Sequence, residues 1–168
     1  MRNTMKAKTA ACVLVCALGS TALAGCLGAP SATMTEEQAS NRQFMAQVNQ
    51  TMVDFQDRID GFNDAVSAGD LVGMRTQADN AFRVLDALEK LEAPEALADV
   101  KQGYVDGCAA MKEALSDYVA LYGDIEGATE ADPFDWGTYD SRIAEVKQAY
   151  DDGLAKLQAA DEAAAAKE

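Results

Sequence analysis

The sequence predicts an all-α protein, an up-down-up-down four-helix bundle, and three observations predict it. Beyond residue 34, apolar side chains recur every three or four positions in four separate runs, the period of a helix that buries one face. No segment alternates apolar and polar residues with the β-branched enrichment of a strand. The breaks between the runs are short, short and moderate, and short links set successive helices side by side in opposite directions.

The first helix is expected from about 36 to 68, with Phe44, Val48, Met52, Phe55, Ile59, Phe62 and Val66 along one face. Thr35, followed three residues later by Gln38, has the capping-box pattern, and Gly69 just past the stripe supplies a stop. Asp70 is placed to cap a second helix, whose stripe is Leu71, Met74, Ala78, Phe82, Leu85 and Leu88 and which ends before Pro94. Pro94 and Glu95 suit the first turn of a third helix. Its stripe is Leu97, Val100, Tyr104, Cys108, Met111, Leu115, Tyr118 and Tyr122, and it is expected to end near Gly123.

From Gly123 to Asp132 the chain is acidic and Gly-containing and reads as the longest loop. Asp132-Pro133 then resembles a cap followed by proline at the first helical position. The fourth stripe is Trp136, Tyr139, Ile143, Val146, Tyr150, Leu154 and Leu157. The bundle is therefore bounded at 35–158, and the Ala-rich tail 159–168 is expected to fray.

Ahead of the bundle, Arg2, Lys6 and Lys8 give a positive start, and Ala10 to Leu23 form an uncharged apolar run. That run is about 14 residues against the roughly 20 that span a bilayer, and it ends in small residues, so it reads as a cleavable signal. The residues Leu23-Ala24-Gly25-Cys26 that close it resemble the lipobox of bacterial lipoproteins, matching at all four positions. The resemblance implies that Cys26 receives a diacylglyceryl group through a thioether, that residues 1–25 are cut away, and that Cys26 becomes the N-terminus. Two acyl chains anchor stably where one holds marginally, because each buried methylene contributes about 0.8 kcal/mol. Residues 26–34 would be the lipidated Cys and a short, uncharged, flexible tether. The implied location is the extracytoplasmic face of the cell membrane.

The formal net charge is −14, and loss of the leader's three basic residues takes it to −17. Such a surface repels phosphate backbones, and no Lys/Arg cluster with interleaved aromatics reverses this locally, so nucleic acid is excluded as a partner. Cys12 and Cys16 leave with the signal and Cys26 carries lipid, which leaves Cys108 alone, without an intramolecular disulfide. A nucleophilic Cys needs a base, yet the chain contains no His, and Cys108 falls on an apolar stripe. It is expected to be a buried core thiol.

The missing His also removes the usual zinc sites, the Ser-His-Asp triad and the Glu-x-x-His pattern of di-iron bundles. Glu130, Asp132, Asp135 and Asp140 are candidates for calcium but lack the order of an EF-hand. No catalytic, cofactor or metal residue is assigned, and no cofactor is expected. Trp136, Tyr139, Tyr150, Tyr104, Tyr118 and Tyr122 all fall on stripes and are expected in or near the core; a pocket, if the bundle has one, is sought between helices three and four. The expected function is that of a non-enzymatic envelope lipoprotein that touches the membrane through lipid and acts on an unidentified envelope protein through contacts. The alternative is a small-ligand-binding or sensory bundle with those aromatics around its site.

Overall fold

The computed structural model describes residues 35–167; the lipobox, Cys26 and the tether lie outside the described residues. Within them the chain is four long helices without a strand: α1 (Glu36–Ala68), α2 (Leu71–Glu89), α3 (Ala98–Gly127) and α4 (Tyr139–Ala165). Single 3-10 turns, Glu95–Leu97 and Trp136–Thr138, lead into α3 and α4. No helix among the described residues is long and apolar enough to cross a membrane.

The first two helices begin and end as the sequence dictates. The Thr35 hydroxyl accepts from the Gln38 N–H at 3.2 Å while the Gln38 side chain accepts from the Thr35 N–H at 3.1 Å, closing the capping box. Gly69 ends α1 at φ 68°, a left-handed backbone that a side chain would strain. Asp70 caps α2 by accepting from the Gly73 N–H at 2.9 Å.

The second half departs from the sequence expectation in three places. Helix α3 runs through Gly123 to Gly127, because Gly123 keeps an ordinary helical backbone there rather than a left-handed one. The chain is not helical at Asp132-Pro133, so these two do not start α4. Asp135 takes the capping role instead, accepting from the Gly137 N–H at 2.9 Å and folding the 3-10 turn from which α4 departs. At the other end, α4 continues to Ala165 with Ala160 and Ala164 buried, so the helix does not fray at 159.

The core is contiguous and draws on all four helices. Phe44, Val48, Phe55, Ile59 and Phe62 come from α1, and Met74, Ala78, Ala81, Leu85 and Leu88 from α2. Val100, Tyr104, Cys108, Met111, Leu115 and Tyr118 come from α3, and Val146, Tyr150 and Leu157 from α4. Each large side chain so buried contributes about 1.5–3 kcal/mol relative to exposure. Met52, Val66, Phe82, Tyr122, Ile143 and Leu154, expected on the same stripes, are only partly buried against this core.

The helices that pack most extensively are α1 with α2, α2 with α3, and α3 with α4. Between α3 and α4 the approach is closest. A Cβ built on Gly103 would meet Ala160 at 3.1 Å, one on Gly107 would meet Leu157 at 2.7 Å, and one on Gly153 would meet Met111 at 2.7 Å. Residue numbers on α4 fall as those on α3 rise. The same opposition holds between α1 and α2, where Gly61 faces Gln77 and Ala65 faces Gly73.

Candidate functional site

Cys26, the lipidation residue implied by the lipobox, lies outside the described residues. Cys108 lies at the centre of the core, fully buried. Burial pushes its thiol up to about 12; Lys112, one turn on, draws it back down by less, and Glu89 adds to the rise. The group is a protonated hydrophobe at neutral pH, with no reach to a substrate in solvent.

Lys112 itself clamps α2 to α3. Its ammonium bonds Asp86 and, at 2.6 Å, Glu89. Desolvation works to lower the Lys112 pKa, but the two carboxylates outweigh it and hold the value above that of a free lysine. The Asp86 carboxyl is held below its ordinary value by the hydrogen bond from Lys112.

The six aromatic residues of the stripes do not line one cleft. Tyr104 is buried and donates to the Asp161 carboxylate at 2.5 Å; desolvation, then that bond, push its phenol well above the ordinary value. Tyr118 packs edge-on against Phe62 with ring centres 5.6 Å apart. Tyr150 is buried on α4, and the Tyr122 hydroxyl lies beside Gly69 at the α1–α2 turn. Between α3 and α4 the helices come close together at Gly103, Gly107 and Gly153. An open groove lies elsewhere, between the first half of α1 and the α2–α3 connection, lined by Ser40, Gln43, Phe44, Gln47, Glu92 and Pro94.

Trp136 is the clear correction. It is 63% exposed rather than in the core, because the apolar period of the fourth stripe extends back past the true start of α4 at Tyr139. Its indole stands 5.0 Å from the Phe134 ring at 78° and 5.9 Å from that of Tyr139. Arg142, one turn into α4, holds its guanidinium 6.0 Å from the centre of the Phe134 ring and bonds the Asp124 carboxylate at 2.8 Å.

Phe134 and Arg142 belong to this cluster although neither lies on a stripe. A proline followed by three aromatics within six residues, in a segment free of basic charge, was the available sign. The acidic residues of the same loop do not gather for a cation: no group of three or more His, Cys, Asp or Glu side chains among the described residues is placed to hold a metal. Asp135 is engaged by the Gly137 N–H, and the Asp132 backbone closes a turn with Thr129. What the loop can offer is contact area: flat apolar rings in a negative setting, in reach of another molecule.

No protein-family model matches the chain, and neither the curated proteins nor the solved structures yield a significant match.

Proposed function

We propose that the chain is a lipid-anchored, non-enzymatic contact protein of the cell envelope, held by Cys26 at the extracytoplasmic face and built as an up-down-up-down four-helix bundle. The opposed residue numbering across α1/α2 and α3/α4 supports that arrangement, as do the Arg75 side chain beside Gly123 and Lys112 reaching back to Asp86 and Glu89 across α2/α3. The observation that carries the functional reading is Trp136. The largest side chain of the protein stands in water, braced on two other rings, while the core's reactive groups are engaged inside: Cys108 as a buried thiol, Tyr104 on Asp161. Exposed apolar patches mark contact sites, and tryptophan and tyrosine are enriched among the residues that anchor protein interfaces.

The test has two parts. Feeding cells a fatty-acid analogue should mark the wild-type protein and leave Cys26→Ser unmarked and unprocessed; equal marking of both removes the anchor. A photo-reactive phenylalanine analogue at position 136 should cross-link a discrete partner in cells, whereas the same analogue at Asp57, exposed on α1, should not. Equal or absent cross-linking at the two positions removes the contact surface.

A further inference from the structure

We infer that the loop between α3 and α4 is a docking surface for a basic, arginine- or lysine-bearing segment of a partner protein. This rests on the contact-protein reading and adds to it the surface and the chemistry of the partner. Three observations carry it.

The first is the ring cluster of Phe134, Trp136 and Tyr139, whose middle member is mostly solvent-exposed. The second is charge. From Glu113 to Ser141 the sequence has eight acidic residues and no basic one: Glu113, Asp117, Asp124, Glu126, Glu130, Asp132, Asp135 and Asp140. Ring faces are electron-rich, and a segment of this net charge favours a cation over a neutral knob. The third is Arg142. Its guanidinium lies over the Phe134 ring and on Asp124, so the protein already binds one arginine by the two contacts that a partner's arginine would make.

The position of the loop agrees with a protein rather than a lipid occupant. Helix α1 spans 33 residues, about 50 Å. It begins at Thr35, the end at which the tether enters, and finishes at Gly69, against Tyr122 near the C-terminal end of α3. The aromatic loop follows α3 and so lies about a helix length from the start of α1. Val72, 73% exposed, opens α2 at that same end. An acidic loop is also repelled by anionic headgroups.

Trp136 is the only tryptophan, so its emission reports on this surface alone. With the full-length protein in non-ionic detergent, nona-arginine should shift and quench that emission saturably. Anisotropy of the labelled peptide should show binding weakened about tenfold by Trp136→Ala, the size of one good cation–π contact, and under about twofold by Asp57→Asn. Unchanged far-ultraviolet dichroism keeps the variants comparable. Equal weakening by Trp136→Ala and Asp57→Asn would mean attraction by net charge alone and overturn the proposal. So would a shift of Trp136 emission with phosphatidylcholine vesicles and none with the peptide. A cross-link from position 136 onto an acidic or neutral segment would keep the contact-protein reading and sink the basic partner. Loss of both cross-link and peptide binding would remove the two together.

Discussion

Helices α1 and α2 meet at Gly61 across a flexible amide, whereas α3 and α4 meet where a glycine of one helix lies against a bulky side chain and the backbone of the other. On the first seam Phe55, Ile59 and Phe62 supply the buried bulk, and Gly61 faces the movable end of Gln77 at 3.0–3.2 Å. Gln56 donates to Asp60 at 2.8 Å, while the side-chain oxygens of Gln56 and Gln77 are buried with no protein partner. On the second seam Gly107 sits under Leu157 and Gly153 under Met111, with the backbone nitrogens of both neighbours only 3.1 and 3.2 Å from the Cβ positions. The first seam can lose volume but also yield; the second cannot yield, because backbone as well as side chain stands in the way. Stability on the two seams should therefore respond oppositely to the same chemical change.

The largest effect is expected where bulk is removed from the first seam. Phe62→Ala takes away a fully buried ring and its T-shaped contact with Tyr118, and should cost about 3–5 kcal/mol. Trp136→Ala, which removes a larger ring from solvent, should cost under about 0.5 kcal/mol. Urea titrations of the two variants decide it; similar midpoints would mean that the α1 stripe is not core.

The next effect breaks the second seam by addition. Alanine is favoured over glycine within a helix by about 1 kcal/mol, so Gly107→Ala would stabilise an isolated α3. In the bundle the new methyl meets Leu157 at 2.7 Å and its backbone nitrogen at 3.1 Å, and the net change should be a loss of about 1–3 kcal/mol. An unchanged or raised melting temperature would show that α3 and α4 can separate without cost.

The same two seams explain what was legible in the sequence. Stripes written in Phe, Leu, Ile and Val locate helix faces because those residues carry hydrophobic weight, and α1 and α2 came out with their caps and most of their buried residues. Gly107, Ala110, Ala114, Gly153, Ala160 and Ala164, all buried, carry little such weight and were passed over. On α3, Gly107, Ala110 and Ala114 form a second buried face at right angles to the stripe, whereas on α4 Gly153, Ala160 and Ala164 lie along the same face as Val146, Tyr150 and Leu157. Gly123 shows the opposite case: glycine ends a helix where the backbone turns left-handed, as it does at Gly69 and not at Gly123. Trp136 continues the apolar period of α4 beyond the helix that owns it, and Phe134 and Arg142, which complete its cluster, follow no period.

A third effect reads the depth of the core through pH. The Cys108 pKa is raised in the folded chain, from an ordinary value of 9.0 to about 12, so the unfolded chain releases that proton first. Its contribution is therefore fully present below about 9 and is lost as pH climbs from 9 toward 12, at about 1.4 kcal/mol per pH unit. Tyr104, raised from 10.0, adds a second loss that begins about one unit higher. Stability measured at pH 9 and 10 should fall in the wild type and fall less in Cys108→Ser, whatever that variant's starting stability. Parallel slopes would place the thiol in contact with water.

The smallest effect is the sharpest comparison, because it repeats the Gly107 substitution on the other seam. A methyl added at Gly61 meets the Gln77 side-chain amide at 3.0–3.2 Å, and none of its three nearest neighbours is backbone. Gln77 is only half-buried and has rotatable bonds enough to step aside, which also gives its unpartnered oxygen a path to water. The propensity gain of alanine in the middle of α1 then survives, less a few tenths for the displaced amide. Gly61→Ala should raise stability by about 0.5–1 kcal/mol, opposite in sign to Gly107→Ala and at the same cost in atoms. Calorimetric melts of the two single variants and of the double variant would settle it. The double variant should show the sum of the singles, since the two sites share no neighbour. Destabilisation by both glycine substitutions would mean that Gln77 is as fixed as Leu157, and the contrast between a yielding and an unyielding seam would fall.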